Sequence, residues 1–357
     1  MSKLEKTKIV TKRKVMIIAG SIAGVILILC LSGYLIINGY LDKIKYDPGV
    51  KPLASEISSE PGDNTESDSP REEIDAFNRQ VEENLSINST PLLYDKDVFN
   101  VLLIGSDTRV AGSTGRSDSM ILISINKKTS KIIATSLLRD IYLQIPGVAL
   151  GNRLNTAIAF GGPALLLNTI RQNFKINVDR YIAVDFFSFM DIIDQVGGVD
   201  IDITDAEIKV TNGYIEGIND LKGLPEDSGK LTFAGKQTLT GKQALGYARV
   251  RYVGNGDFDR TDRQRLVLGQ VFSKIKTRSI SQLNDLLNAF LPEVTTNLSK
   301  SELFSLVLSI PSYKNYTIDS WRVPADGTFS YLSIRGMSVL GIDFSENRAE
   351  MQKRMYG

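Results

Sequence analysis

An uninterrupted apolar run near the start of the sequence constrains this chain most. Residues 15–37 read VMIIAGSIAGVILILCLSGYLII and include no charged residue. As a helix rising 1.5 Å per residue, this run would span about 35 Å, which exceeds the roughly 30 Å of a bilayer core. No small-residue cleavage site follows it. The pattern therefore favours an uncleaved transmembrane anchor over a signal peptide or a buried soluble helix.

The flanks of this run differ in charge. Six basic residues and Glu5 precede it, whereas the residues after it include Lys43, Lys45 and Lys51. Cytoplasmic flanks usually carry the excess of Lys and Arg, so we expect residues 1–14 to form a cytoplasmic tail. The main body would then be extracellular, in a single-pass protein of the cell membrane.

The next segment reads as a linker. Residues 46–70 hold four prolines, many Ser, Asp and Glu residues, and few large apolar side chains. Such a composition cannot bury a core, so we expect residues 38–90 to form an extracellular stalk. Within the stalk, the apolar stripe of residues 71–85 predicts a short helix. The folded domain is predicted over residues 91–357.

Composition excludes several kinds of chemistry. The 357 residues include no histidine and a single cysteine, Cys30. Mechanisms that use a Ser-His-Asp triad, a Cys-His pair or a His-ligated metal are therefore excluded, as is an intrachain disulfide. The formal net charge of +1 argues against a protein that binds nucleic acid along its whole length. Any catalysis must rely on carboxylates, Arg, Lys or hydroxyl groups.

Beyond residue 91, strand-like apolar runs alternate with helix-like stretches. This alternation predicts an α/β fold, a three-layer α-β-α sandwich with a central mixed sheet. The segment 205–241 is rich in glycine, and we expect it to be an irregular surface excursion. The predicted strands are 98–104, 120–125, 132–137, 181–184 and 199–203, and the predicted helices are 163–174, 186–196, 262–275, 280–291 and 300–309.

Carboxylates lie at the ends of two predicted strands. Asp107 directly follows the first strand, in FNVLLIGSDTR, and Asp118 precedes the second, in GRSDSMILISI. If the two loops are neighbours, the carboxylates would repel each other unless they share a hard cation such as Mg²⁺. The alternative, two solvated loop aspartates, stays open on spacing alone.

Arginines are concentrated in a second set of motifs. Arg139 follows a buried strand, and five arginines lie in YARVRYVGNGDFDRTDRQR, residues 247–265. Arg249 and Arg251 alternate, so a strand would place both on one face, whereas Arg260 and Gln264 would share a helix face with Asp262 as its cap. Arginine suits bidentate contacts to phosphate oxygens. An Arg/Asp salt-bridge network on a helix remains the alternative.

Seven motifs together resemble the LytR-CpsA-Psr family of Gram-positive bacteria. They are FNVLLIGSDTR, GRSDSMILISIN, LLRD, RLNTAIAFGG, DFFSFMDIIDQVGGVDIDI, LTGKQALGYARVR and GDFDRTDRQRLVL, in that order over residues 99–275. The resemblance implies a phosphotransferase that moves a glycopolymer from an undecaprenyl (pyro)phosphate carrier to peptidoglycan. The polymer would be wall teichoic acid or capsular polysaccharide, and the acceptor a muramic acid C6 hydroxyl that becomes a phosphodiester.

The resemblance also implies roles for individual residues. The metal ligands would be Asp107 and Asp118, holding Mg²⁺ or alternatively Mn²⁺. Asp257 would be a candidate general base. The pyrophosphate would be bound by Arg116, Arg139, Arg249, Arg251, Arg260 and Gln264, of which the first four arginines would act with Asp257 in catalysis. Candidates for contact with the lipid tail are Phe160, Leu165, Phe186, Phe189 and Met190, although most of these are expected to be ordinary core residues.

Two positions depart from the family pattern. Leu138 stands where a proline is common, and Asp259 stands where a glycine is usual. We expect a slight shift of the loop at Leu138, and a weakening of the phosphate contact of Arg260 by the added charge of Asp259.

Three alternative functions stay open on the sequence. A lipid-pyrophosphate hydrolase would use the same site with water as acceptor. A non-enzymatic envelope protein would bind polyprenyl phosphates without forming a product. A transcriptional regulator is disfavoured, because the folded part is predicted outside the cell and no basic recognition helix is evident.

Overall fold

A computed structural model describes residues 38–39, 42–50, 68–86, 91–106, 117–279, 282, 285–286 and 291–357. Its strands are β1 (Lys45–Tyr46), β2 (Val98–Ser106), β3 (Ser117–Asn126), β4 (Lys131–Leu137), β5 (Tyr142–Leu143), β6 (Asn152–Arg153), β7 (Tyr181–Asp185), β8 (Val199–Ile203), β9 (Gly235–Leu239), β10 (Thr295–Thr296), β11 (Thr317–Val323), β12 (Phe329–Ile334) and β13 (Met337–Ile342). Its α-helices are α1 (Arg71–Ser86), α2 (Ala157–Phe174), α3 (Phe186–Gln195), α4 (Asp205–Lys222), α5 (Gly241–Ala248), α6 (Asp257–Lys276), α7 (Lys300–Tyr313) and α8 (Phe344–Tyr356).

The central sheet is mixed and has seven strands in the order β1-β10-β7-β2-β3-β4-β11. Strand β2 runs antiparallel to β3 and parallel to β7, and β4 runs antiparallel to β3 and parallel to β11. The chain therefore leaves β2, β4, β7 and β11 at the same edge of the sheet, where β3 begins. This edge collects the loops that carry the predicted site.

One face of the sheet is covered by α1, α2, α8 and the β12–β13 hairpin. Their side chains form the largest apolar core together with Leu102, Leu122 and Ile133 of the sheet, all of which are fully buried. Phe77 and Val81 of α1 belong to the same core. The helix predicted over residues 71–85 is thus present, and it packs against the folded domain although it precedes residue 91.

The opposite face is covered by α3, α6 and α7. Ile125 and Ile132 of the sheet pack there against Tyr313 of α7 and Phe272 of α6. A separate apolar cluster joins α3, α5 and α6 to the small β8–β9 sheet. The expected α/β fold with a central mixed sheet is confirmed.

The five predicted strands are all present, but the prediction for residues 205–241 was wrong. This segment contains helix α4 and strand β9. Helix α4 begins in a capping box between Thr204 and Glu207, and ends at Gly223, whose φ of 63° is the left-handed cap that glycine favours. Gly213 and Gly217 lie inside this helix, so these glycines do not mark a loop.

Some predictions lie outside the described residues. They include the apolar run 15–37, the residues 107–116 and most of the predicted helix 280–291. Among the helices that are described, none combines the length and apolar character needed to cross a bilayer.

Candidate active site

The first part of the site forms where β4 ends and β3 begins. Asp118 lies at the start of β3, and Arg139 lies two residues beyond β4, which pairs with β3. Arg139 Nη1 donates to Asp118 Oδ1 at 2.8 Å. Arg139 Nε also lies 3.5 Å from Asp140 Oδ2. The antiparallel pairing of two strands thus brings together groups 21 residues apart in sequence.

The second part comes from the N-terminus of α6, which packs against the same edge. Arg260 Nη2 lies 2.8 Å from Asp257 Oδ1 and donates to the carbonyl oxygen of Asp118 at 3.1 Å. Asp257 Oδ1 also lies 3.4 Å from Arg251 Nε and 3.7 Å from Arg139 Nε. Asp257 is therefore surrounded by three guanidinium groups, and it links the α6 terminus to the strand ends.

Burial and charge act against each other in this cluster. Burial lowers the pKa of the Arg139 guanidinium, but the carboxylates of Asp140, Asp257 and Asp118 outweigh it and raise that pKa. Burial lowers the pKa of Arg260, in part against the attraction of Asp257. Burial likewise raises the pKa of Asp140, although Arg139 opposes this. The carboxylates thus favour the charged form of Arg139, whereas burial works against the charge of Arg260.

Two buried donors of the cluster are not satisfied. The Nε groups of Arg139 and Arg260 have no hydrogen-bond partner among the described residues. A buried donor without a partner costs stability, and the arrangement is favourable only when something accepts its hydrogen bond. An added acceptor, such as an anion, would therefore be favourable beside these two donors.

Arg249 and Arg251 do not lie on a strand, so the predicted strand alternation was wrong. Arg249 is the C-terminal cap of α5, because the capping box of Thr240 and Gln243 makes residues 241–248 helical. The Arg249 guanidinium carbon lies 4.6 Å from the ring centres of both Phe186 and Tyr214. These two rings hold the cation by cation–π contact.

An apolar pocket of about 320 Å³ opens onto this cluster. It lies between the sheet and helices α3 and α6, and its inner wall is aliphatic and aromatic. The polar residues that line it include Asp118, Arg139, Arg249, Arg251, Arg260 and Gln264, and the apolar ones include Leu103, Ile121, Ile182, Val184, Phe186, Phe189, Ile193, Val267 and Val271. Long apolar chains with an anionic end match this division of polarity.

A buried ion pair stabilises the loop that carries Arg251, and sequence reasoning missed its role. Arg263 Nε donates to Glu207 Oε1 at 2.8 Å, Nη1 to the Val250 carbonyl at 3.1 Å and Nη2 to the Val253 carbonyl at 3.2 Å. These carbonyls flank Arg251. The pair spans 56 residues, so spacing gave no signal of it, although T-x-x-E at Thr204 did signal the helix that carries Glu207.

The structure brings most of the predicted site residues together. Asp118, Arg139, Arg251, Asp257 and Arg260 form one cluster, and Arg249 and Gln264 line the same pocket. The predictions for Asp107 and Arg116 lie outside the described residues. Of the five lipid candidates, Phe186 and Phe189 line this pocket. Met190 belongs to the small apolar cluster against which these two rings pack, and Phe160 and Leu165 belong to the largest core.

The contacts of Asp262, Asp259 and Leu138 differ from those expected from the sequence. Asp262 does not cap α6, which begins at Asp257 after Gly256. The Asp259 carboxylate accepts a hydrogen bond from the Asn255 backbone N–H at 2.9 Å. It therefore contacts the loop before α6 and not the Arg260 guanidinium. The Leu138 N–H donates to the Val323 carbonyl at 3.0 Å, a bond that a proline could not make.

Asp118 is the one predicted metal ligand among the described residues. Within the described residues, no group of three or more Asp, Glu or Cys side chains is placed to hold a metal ion. Magnesium, however, is often bound by one or two carboxylates together with substrate phosphates. The partly exposed carboxylate of Asp118, which lines the pocket, fits that role.

The model of the LytR_cpsA_psr family matches residues 57–355. The chain belongs to this family. A polyisoprenyl-teichoic acid–peptidoglycan teichoic acid transferase, TagU, from Bacillus cereus is 35% identical over 233 residues, which cover 64% of this chain and 69% of that protein. Biofilm regulatory protein A from Streptococcus mutans is 31% identical over 254 residues, covering 66% of this chain and 59% of that protein.

Solved structures of the family share the fold. YwtF (TagT) of Bacillus subtilis, solved with bound octaprenyl pyrophosphate lipid, is 25% identical, with a TM-score of 0.55. The match covers 74% of this chain and 93% of that one. A structure of TagT bound to LI-WTA is 26% identical, with a TM-score of 0.59 over the same shares of the two chains.

Proposed function

We propose that this chain transfers an anionic glycopolymer, such as wall teichoic acid or capsular polysaccharide, from undecaprenyl pyrophosphate to peptidoglycan. One observation carries the proposal: the arginine cluster lies at the opening of an apolar pocket. A polyprenyl pyrophosphate has the same two parts. The names of the relatives and the lipid bound to YwtF support the same substrate class.

In the proposed reaction, a hydroxyl oxygen of peptidoglycan forms a bond to the phosphorus that bears the polymer. The phosphoanhydride bond to the second phosphate breaks, and undecaprenyl phosphate leaves with the electron pair. Arg139, Arg251 and Arg260 stabilise the charge that develops on the phosphate oxygens, since guanidinium groups in a poorly hydrated site act strongly on such charge. The proton of the hydroxyl passes to Asp257, whose carboxylate lies beside Arg260, Arg251 and Arg139 at the centre of the cluster.

Other side chains position the arginines that bind the phosphates. Phe186 and Tyr214 hold Arg249 at the pocket wall, and Arg263 fixes the loop of Arg251. The apolar pocket excludes water from the lipid side of the phosphates. We further propose that Asp118 and Asp107 bind Mg²⁺ or Mn²⁺, which would neutralise phosphate charge when bound. Arg116 would add a further phosphate contact.

We propose that the protein is a single-pass protein of the cell membrane. An anchor over residues 15–37, with the N-terminus in the cytoplasm, would place the active domain outside the membrane. This is where a lipid-linked polymer meets peptidoglycan.

The test is a transfer assay with the full-length chain, a lipid-pyrophosphate-linked glycan, uncrosslinked peptidoglycan and Mg²⁺. Arg251→Ala is expected to lower transfer by two to three orders of magnitude, about the effect of removing one transition-state donor. Lys274→Gln, at the far end of α6, serves as the matched control. Released polymer without attachment would identify a hydrolase instead. Unchanged transfer by Arg251→Ala would refute the role of the arginine cluster.

A further inference from the structure

A short segment of the predicted stalk is part of the folded domain. Residues 42–50, which we call the strap, include β1, and β1 pairs with β10 at the edge of the central sheet. The strap precedes residue 57, where the match to the family model begins. Nothing in the reaction described above uses it.

Hydrogen bonds fix the strap to the domain beyond its short strand. The Asp47 N–H donates to the Thr296 carbonyl, and the Tyr181 hydroxyl donates to the Asp47 carbonyl, both at 2.9 Å. The Ala164 N–H donates to the Gly49 carbonyl at 3.0 Å. The strap is therefore bonded to three separate elements, namely β10, β7 and α2.

Gly49 allows the strap to approach α2 and β7 closely. It is buried and has a φ of 73°, a left-handed conformation that favours glycine. A Cβ at this position would lie 3.0 Å from Tyr181 Cε1 and 3.1 Å from Pro163 Cβ. A β-branched side chain at residue 49 would be both strained and crowded, and should release the strap.

The strap lies close to the apolar pocket of the site. Lys45 is level with Thr295 of β10, which is level in turn with Ala183 of β7. Neighbouring strands lie about 4.8 Å apart, so β1 lies about 10 Å from β7. Strand β7 lines the pocket with Ile182 and Val184. A docked strap therefore fixes where the chain that precedes it meets the domain, two strands away from the pocket.

The outward side chains of the strap suit a lipid surface. Tyr46 and Val50 are 64% and 73% exposed, and Lys45 is exposed beside them. Tyrosine is enriched where a membrane meets water, and lysine can extend its amine to lipid headgroups. The strap thus combines the side chains expected of a segment that lies against headgroups.

Docking of the strap shortens the tether between the proposed anchor and the domain. An anchor that ends at residue 37 leaves 7 residues before β1, whereas a released strap would leave the 30 residues that precede Asp68. A flexible chain has a root-mean-square length of about 5.5 Å × √n, which gives about 15 Å with the strap docked and about 30 Å without it. Effective concentration falls roughly as the −3/2 power of tether length, so docking raises it roughly tenfold.

We propose that the strap seats the active domain on the outer surface of the membrane, so that the pocket takes its polyprenyl chain directly from the bilayer that holds the anchor. This inference rests on the proposed function and on the proposed anchor, because it concerns how the lipid donor reaches the site.

The first test inserts the same flexible Gly/Ser segment, of about twenty residues, at two places in the full-length chain. An insertion between residues 40 and 41 precedes the strap and lengthens the tether, whereas an insertion between residues 62 and 63 follows the strap and is the matched control. The chains are reconstituted in vesicles of phosphatidylglycerol and phosphatidylethanolamine that contain an undecaprenyl pyrophosphate-linked glycan. Only the first insertion should lower transfer, by roughly five- to tenfold.

A pair of glycine variants tests the docking itself. Gly49→Val should lower transfer from the vesicles by a factor similar to that of the first insertion, because it releases the strap. Gly39→Ala, in the same tether, should leave transfer unchanged, since an added Cβ there would meet no atom within 4 Å. Equal transfer by the two insertion variants would overturn the inference.

A water-soluble donor with a short prenyl chain separates this inference from the proposed function. It reaches the pocket from solution, so both insertion variants should use it at the wild-type rate. Failure of every chain to transfer from the soluble donor would refute the proposed function. The strap is then tested by energy transfer to dyes in the vesicle surface from a dye on Glu346→Cys in a Cys30→Ala background. The first insertion alone should lower this energy transfer, and an equal effect of both insertions would overturn the inference.

Discussion

The ion pair between Arg263 and Glu207 allows a quantitative prediction. The two side chains are 8% and 11% exposed, and their closest atoms are 2.8 Å apart. Arg263→Met would leave the Glu207 carboxylate buried without its cation, and would remove the donors to the Val250 and Val253 carbonyls. Removing one partner of a buried pair typically costs about 3–5 kcal/mol. At about 2–4 °C per kcal/mol, the midpoint of thermal unfolding should fall by about 6–20 °C.

The assay is a double-mutant cycle in urea with Arg263→Met, Glu207→Gln and the combined variant. The combined variant should be more stable than the sum of the single losses predicts, because a neutral amide tolerates the missing cation better than a carboxylate does. At temperatures where Arg263→Met is still folded, it should bind prenyl pyrophosphate more weakly than the wild-type chain. The reason is that the loop of Arg251 loses the two hydrogen bonds from Arg263 to the Val250 and Val253 carbonyls. Strict additivity of the two single losses would refute the reasoning.

Three further predictions concern the surroundings of the site. Gly254→Ala should destabilise the start of α6, because Gly254 has a φ of 78° and an added Cβ would overlap the Asp259 carboxylate. Gly269→Ala is the matched control inside α6, since an added Cβ there would meet no atom within 4 Å. It should stabilise the helix by up to about 1 kcal/mol in urea unfolding. Leu138→Pro should cost more than Leu138→Ala, which removes the buried side chain alone at about 2–5 kcal/mol, because proline also removes the N–H that bonds to the end of β11. Urea unfolding measures both losses, and equal losses would contradict the bond. Burial favours a higher pKa for Glu207, but its hydrogen bonds to Thr204 and Arg263 lower that pKa below the ordinary 4.5. The ionised carboxylate therefore stabilises the fold fully above pH 4.5, and this stabilisation is lost as the pH falls through the lowered pKa. The difference in unfolding free energy between the wild-type chain and Glu207→Gln should shrink as the pH falls, and a constant difference would contradict this pKa shift.

The inner strands β2, β3 and β4 were predictable because they are largely buried on both faces. Strands β2 and β4 are near-continuous apolar runs between polar residues, a pattern typical of strands covered on both faces. Helix α4 was not predicted, because its glycines resemble loop residues in sequence. The T-x-x-E capping box at its start was a better guide than the glycine content.

The candidate site was predictable to the extent that it lies at strand ends. Asp118 and Arg139 emerge where two predicted strands meet the same edge, so their proximity followed from the order of elements. The positions of Arg249 and Arg251 were not predictable from alternation, because a capped helix ends there instead of a strand. The contacts of Arg263 depend on packing between distant helices, which spacing does not encode.

The central claim is that one site binds an apolar chain and a pyrophosphate together. The most direct measurement compares the binding of octaprenyl pyrophosphate, octaprenol and inorganic pyrophosphate to the full-length chain, with Arg260→Met as the variant. Octaprenyl pyrophosphate is expected to bind far more tightly than either part, and Arg260→Met is expected to reduce its preference over octaprenol, since Arg139, Arg249 and Arg251 remain. Equal binding of octaprenyl pyrophosphate and octaprenol by the wild-type chain would contradict the account, because the arginine cluster would then contribute nothing to recognition.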